Sequence, residues 1–172
     1  MDEVQFLKLD SGYIEEMLEI QRICWETEPG IFVASSQDAY LRAFEYDNFV
    51  VGVSDGGRLV GFLNCAAHNR HSGMNLGKHL GYSPEMLDRV GHLNTVLMRP
   101  DHRGHGLALR LVEMAIREFP PRVRYLMATT APWNTAAQRI LNDFGFARQG
   151  GEIEVSGQRR LLFVRDLELR PK

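Results

Sequence analysis

A single mixed α/β domain is what the sequence predicts, on three observations. Apolar or alternating runs of strand length recur along the chain, and between several of them apolar residues return at helical spacing. No linker, internal repeat or low-complexity segment divides the 172 residues, a length that suits one domain spanning 1–172.

The elements follow in order. Residues 4–9, VQFLKL, read as a strand. Ser11 is placed to cap a helix whose Ile14, Met17, Leu18, Gln21 and Trp25 share one side. EPGIF at 28–32 breaks it, and residues 36–46 give a second helix with Ala39, Leu41, Phe44 and Tyr46. Two strands then flank Asp55-Gly56-Gly57, a strong hairpin signal. Residues 69–91 are rich in Gly, His and Asn, with one short helix signalled by Ser83-Pro84. Such a long connection is either a variable surface insert or a carrier of function. Regularity returns with a strand at 92–99, a helix at about 105–118, a strand at 123–130 and a helix at about 134–143. Two strands, 147–155 and 159–168, turn at Ser156-Gly157.

Composition bounds the function. Hydrophobic content of 44% and charged content of 24% are those of an ordinary globular protein. A net charge of -2 implies no nucleic-acid partner and no anionic membrane surface. No stretch approaches the roughly 20 apolar residues of a membrane span, and the acidic start MDEVQFLKLD is unlike a signal peptide. Cys24 and Cys65 lack CxxC spacing, which fits a reducing compartment and argues against structural zinc; a cytoplasmic protein without a metal is expected.

The informative stretch is VLMRPDHRGHGLALRLVEMA, residues 96–115. A strand ends at Pro100, and a helix begins just past Arg103, with Ala108, Leu111, Val112, Ala115 and Phe119 as its apolar stripe. Packing of that stripe holds the first turn in place with unpaired N–H groups, which is an anion site; Gly104 and Gly106 let a phosphate approach the backbone. A plain strand-to-helix turn, with the glycines only relieving strain, is the other reading. There is no GxxxxGK[ST], and Leu109 stands where a dinucleotide GxGxxG needs glycine.

RGHGLA resembles the [Q/R]-x-x-G-x-[G/A] signature of the GNAT superfamily of N-acetyltransferases, with Arg103, Gly106 and Ala108 at its fixed positions. Downstream, NTAAQRILNDFGF (134–146) resembles the family's Asn-x-x-Ala…Gly-Phe helix. The resemblance implies a mostly antiparallel sheet, splayed between its fourth and fifth strands, with helices on both faces. It implies acetyl-CoA as co-substrate, held by the backbone of Val96, Leu97 and Met98, by the loop residues Arg103, Gly104, His105, Gly106, Leu107, Ala108 and Leu109, and by Asn134. Asn134 has an equally good second role as a helix cap.

Acetyl transfer to an amine needs an unprotonated amine, since an alkylammonium has a pKa near 10.4, and a donor for the oxyanion, for which the Met98 N–H is placed. The family's base positions map to Thr129, which cannot serve, and to His92, the candidate general base, whose imidazole pKa of about 6.5 suits the task. A core histidine is the competing role for His92. The family's acid, a tyrosine, is Leu141 here. His102 and His105 are expected to bond phosphate or solvent, and His68, His71 and His79 to lie at the surface. Glu26 and Glu28 beside Trp25 either meet a cationic amine or form a solvated helix end. The expected activity is acetyl transfer to a primary amine of a small molecule or peptide, the alternative a silent CoA-binding module; a homodimer is left open.

Overall fold

The computed structural model describes Met1 and residues 3–169. In chain order the elements are β1 (Val4–Lys8), α1 (Ile14–Thr27), α2 (Gln37–Arg42), β2 (Phe49–Asp55), β3 (Arg58–Ala67), α3 (Pro84–Leu87), β4 (Val90–Met98), α4 (Leu107–Glu118), β5 (Tyr125–Thr130), α5 (Thr135–Asp143), β6 (Ala147–Val155) and β7 (Gln158–Asp166). The strands make a mixed seven-stranded sheet in the order β1-β2-β3-β4-β5-β7-β6, with helices on both faces. The chain divides into two compact units, Met1–Ala66 with Leu93–Glu118 and Ala67–His92 with Phe119–Lys172. No helix among the described residues is long and apolar enough to cross a membrane.

In the first unit, Met17, Ile20 and Cys24 recur at helical spacing along α1 and are buried with Tyr40, Val50, Leu59 and Phe62. α4 lies against β2 through its own stripe, of which Leu111, Val112 and Ala115 are buried. Two sequence expectations change here. Asp10, not Ser11, opens the α1 region: its carboxylate accepts the Gly12 N–H at 2.8 Å and caps a 3-10 turn, Ser11–Tyr13, ahead of the helix. α2 is also shorter than 36–46. Its core residue is Tyr40, fully buried with its hydroxyl on Gln21 Oε1 at 2.6 Å, whereas Tyr46 is 98% exposed at φ 54, which no helix continues through.

In the second unit the stretch after β3 is a built structure rather than a surface insert. Leu76, Leu80 and Tyr82 pack on Val90, Met127, Leu162 and Val164 of the sheet. Asn75, 2% exposed, holds the stretch together: its Nδ2 donates to the Asn69 and Leu87 carbonyls, and its Oδ1 accepts the Gly77 N–H. Arg122 adds donations to the carbonyls of His68 and Asp88. Backbone oxygens left without such donors would cost about 1–3 kcal/mol each, which offsets the entropy the side chains lose.

The β4–β5 pairing is parallel and brief, Val90↔Tyr125, Gly91↔Leu126 and His92↔Met127. β5 pairs antiparallel with β7 along its whole length, through Thr130↔Leu161. β7 pairs antiparallel with β6 across a bulge between Gln149 and Glu152.

Candidate active site

β4 ends in a firmly held tip. The Arg99 N–H donates to the Val60 carbonyl at 2.8 Å, and the buried Arg99 guanidinium reaches the Leu59 carbonyl and Glu19, the latter at 2.7 Å. Successive residues of a strand turn their backbone groups to opposite edges, so Val96 and Met98 aim theirs away from the edge that Arg99 gives to β3. The Met98 carbonyl accepts from Cys24 Sγ at 3.4 Å and from Arg103 Nε at 3.1 Å. Burial raises the Cys24 thiol pKa, and the Arg103 hydrogen bond only partly offsets that, so the thiol stays protonated and donates.

The chain then makes a 3-10 turn at Pro100–His102 and enters the glycine segment. Gly104 and Gly106 have φ of +79° and +74°, and no heavy atom beyond the adjoining residues lies within 4 Å of where a Cβ would stand on either. The first helical bond runs from the Arg110 N–H to the Gly106 carbonyl, so the amides of Leu107, Ala108 and Leu109 precede the α4 ladder and have no intrahelical partner. Leu107 is buried and fixes the turn, while His105 and Leu109 are exposed. Arg103 secures the loop from its other side, with Nη1 on Glu28 at 3.0 Å and Nη2 beside Cys24 Sγ at 3.6 Å. The open backbone at Gly104 and Gly106 leaves room for an anion to approach the first turn of α4.

Val96–Met98 and Arg103–Leu109 all belong to the first unit. Asn134 belongs to the second unit, where its Oδ1 caps α5 by accepting the Ala137 N–H at 3.1 Å. His92 is there too, 4% exposed; its Nε2 accepts the Leu76 N–H at 3.2 Å, and its ring lies 4.0 Å from that of His68. The lone pair a base needs is therefore in use within the stretch after β3. His68 is half-buried rather than at the surface, and burial, with the Arg122 charge, lowers its pKa to about 4. His71 and His79 are exposed as expected. Thr129 Oγ1 accepts from Arg160 Nε, and Leu141 is 6% exposed. Glu26 pairs with Arg22 and Glu28 with Arg103, both at the surface.

One arrangement was invisible in the sequence. His102 faces neither solvent nor an open phosphate cradle; its two ring nitrogens each lie 3.0 Å from a carboxylate, Asp101 on one side and Asp55 on the other. Asp55 stands 47 residues away in the β2–β3 hairpin, and no local pattern announces the meeting.

A family model described as the acetyltransferase (GNAT) family matches residues 14–146, a span that includes the β4 tip, the glycine segment and α5. The chain belongs to this family. Among solved structures, a GNAT-family acetyltransferase from Streptococcus pneumoniae is 17% identical, with TM-score 0.70 and coverage of 95% of this chain and 99% of that one. An N-acetyltransferase from Staphylococcus aureus Mu50 is 15% identical, with TM-score 0.70 and coverage of 96% and 99%. Diaminobutyrate acetyltransferase EctA from Paenibacillus lautus, solved with L-2,4-diaminobutyric acid and coenzyme A, is 17% identical, with TM-score 0.70 and coverage of 99% and 98%. At these identities the likeness is one of fold. A sequence search of curated proteins finds no match.

Proposed function

We propose that this GNAT protein transfers an acetyl group from acetyl-CoA to a primary amine of a small molecule or peptide. One observation carries the proposal: the glycine cradle at Gly104 and Gly106 opens directly onto the unpaired amides of Leu107, Ala108 and Leu109, which suits a pyrophosphate. Acetyl-CoA supplies an activated thioester. The chain supplies position and polarisation. The edge of β4 carrying the Val96 and Met98 backbone is oriented to bond an extended arm as a further strand would, and the Met98 N–H is the donor for the carbonyl oxygen that gains charge. The EctA complex with coenzyme A and a diamine supports the same choice of donor and acceptor class. Two buried free thiols accord with a cytoplasmic setting.

Proton removal is assigned to solvent. His92 gives its Nε2 lone pair to Leu76, Thr129 is no base, and Leu141 has no ionisable group. An amine that arrives through its minor neutral fraction then sets the rate, so turnover should climb with pH toward the acceptor's own pKa near 10. The test is thiol release from acetyl-CoA across a panel of primary amines. Acceptor-dependent release supports the transferase. CoA binding without release across the panel would leave a binding module in its place.

A further inference from the structure

We propose that His102 is a positioning residue for the glycine cradle, and that it acts as the imidazolium. The proposal rests on the acetyl-CoA reading of that cradle and adds to it a residue and a pH dependence. A neutral imidazole has one N–H, so it can donate to only one carboxylate; the other nitrogen would then set its lone pair against a carboxylate oxygen. Contacts of 3.0 Å from Nδ1 to Asp101 and from Nε2 to Asp55 are satisfied together only when both nitrogens carry hydrogen. The His102 and Asp55 side chains are each 16% exposed, so their bond is sheltered from the solvent that weakens most surface pairs.

The position gives the bridge its consequence. His102 is the last residue of the 3-10 turn, two residues before Gly104. Gly104 and Gly106 have no side chains to restrain them, so their conformation is set by what holds each end. Leu107 anchors the helical end by burial, and Arg103 ties to Glu28 and Met98. His102 fastens the entry to the β2–β3 hairpin, through an Asp55 carboxylate that also accepts the Glu3 N–H. Loss of the bridge leaves the cradle with more conformations to surrender when an anion binds, and affinity falls accordingly.

The charged groups facing this cluster are Asp101 from its own turn and Asp55 from β2, with the amino terminus acting on Asp55 and Arg99 on Asp101. Asp101 first, then Asp55, raises the His102 pKa above 6.5, and His102 lowers both carboxylates below 3.8. A raised histidine stabilises the folded cradle fully below its unfolded pKa and loses that contribution as pH rises through the folded one. The lowered carboxylates contribute above about 3.8 and fail only in stronger acid. The bridge is therefore whole between roughly pH 4 and 6.5 and is released on the alkaline side.

The test measures CoA dissociation constants by calorimetry from pH 5.5 to 8 for the wild type and His102→Gln, with the His102 titration followed by NMR in the wild type and Asp55→Asn. The phosphate monoester of CoA titrates near pH 6, but equally for both proteins, so the ratio of their constants is read. The expected result is a ratio of about fivefold at pH 5.5 that shrinks toward one by pH 8, with a His102 pKa above 6.5 that drops in Asp55→Asn. A ratio independent of pH, or a His102 pKa unchanged in Asp55→Asn, overturns the proposal. Absence of CoA binding by either protein at every pH would instead sink the acetyl-CoA reading, and the effect of Asp55→Asn on the His102 titration would still decide the bridge.

Discussion

Two irregular segments, the glycine cradle at 103–106 and the stretch from His68 to Arg89, have similar compositions and opposite constructions. Both mix glycine with histidine. In the cradle the space above Gly104 and Gly106 is open, and His102, just ahead of it, stands between two carboxylates. In the longer stretch residues 75–77 and Leu87 are buried, Asn75 is spent on three backbone partners, and His68, half-buried against the ring of His92 on β4, is kept neutral by burial. Irregular sequence does not by itself mark function. A segment whose polar groups are satisfied internally supports the fold, and one that leaves N–H groups facing open space is ready for a ligand.

The widest separation between the two should come from Gly106→Val. A β-branched residue at φ +74° is strained and stands where an anion must touch backbone, so CoA binding should weaken about a thousandfold while the fold loses only about 1–3 kcal/mol. Calorimetry beside a thermal melt checks both; an affinity near wild type would mean the cradle is only a turn. The mirror experiment is Asn75→Ala, which strands two carbonyls and an amide in a buried site. Chemical denaturation should show a loss of about 3 kcal/mol with CoA affinity of the folded protein within twofold of wild type.

Acid separates the segments by sign. Because burial lowers the His68 pKa from 6.5 to about 4, the unfolded chain binds the proton more readily between those values. Stability drawn from neutral His68 is present above pH 6.5 and is lost as pH falls toward 4, by up to about 3 kcal/mol. The His102 bridge keeps its strength over that same window and fades on the alkaline side. Denaturation at pH 7 and pH 4.5 should show the acid loss in the wild type and a flatter profile in His68→Gln; equal slopes would remove His68 from the account.

The smallest effect should be that of His92→Gln. The glutamine oxygen can still accept the Leu76 N–H, so steady-state turnover with the best acceptor should stay within about threefold of wild type. A fall of about a hundredfold with unchanged CoA affinity would return the base role to His92.

Much of this was legible in the chain itself. The hairpin at Gly56-Gly57, the α4 stripe and the strand–glycine–helix turn are local patterns, and local patterns are written in neighbouring residues. So was the family, whose signature occupies consecutive positions around Arg103 and Asn134. What the sequence could not specify was how distant polar groups pair. It put Ser11 where Asp10 caps, ran the second helix through a Tyr46 that turns left-handed, and left open whether His92 was base or core. Asp55 reaches His102 across 47 residues, and Leu76 claims His92 from a stretch without regular periodicity. Hydrogen bonds of that kind depend on positions in space that only the folded backbone fixes, so tertiary structure alone decided which histidine stands between carboxylates, which is buried against a neighbouring ring, and which carbonyls Asn75 and Arg122 hold.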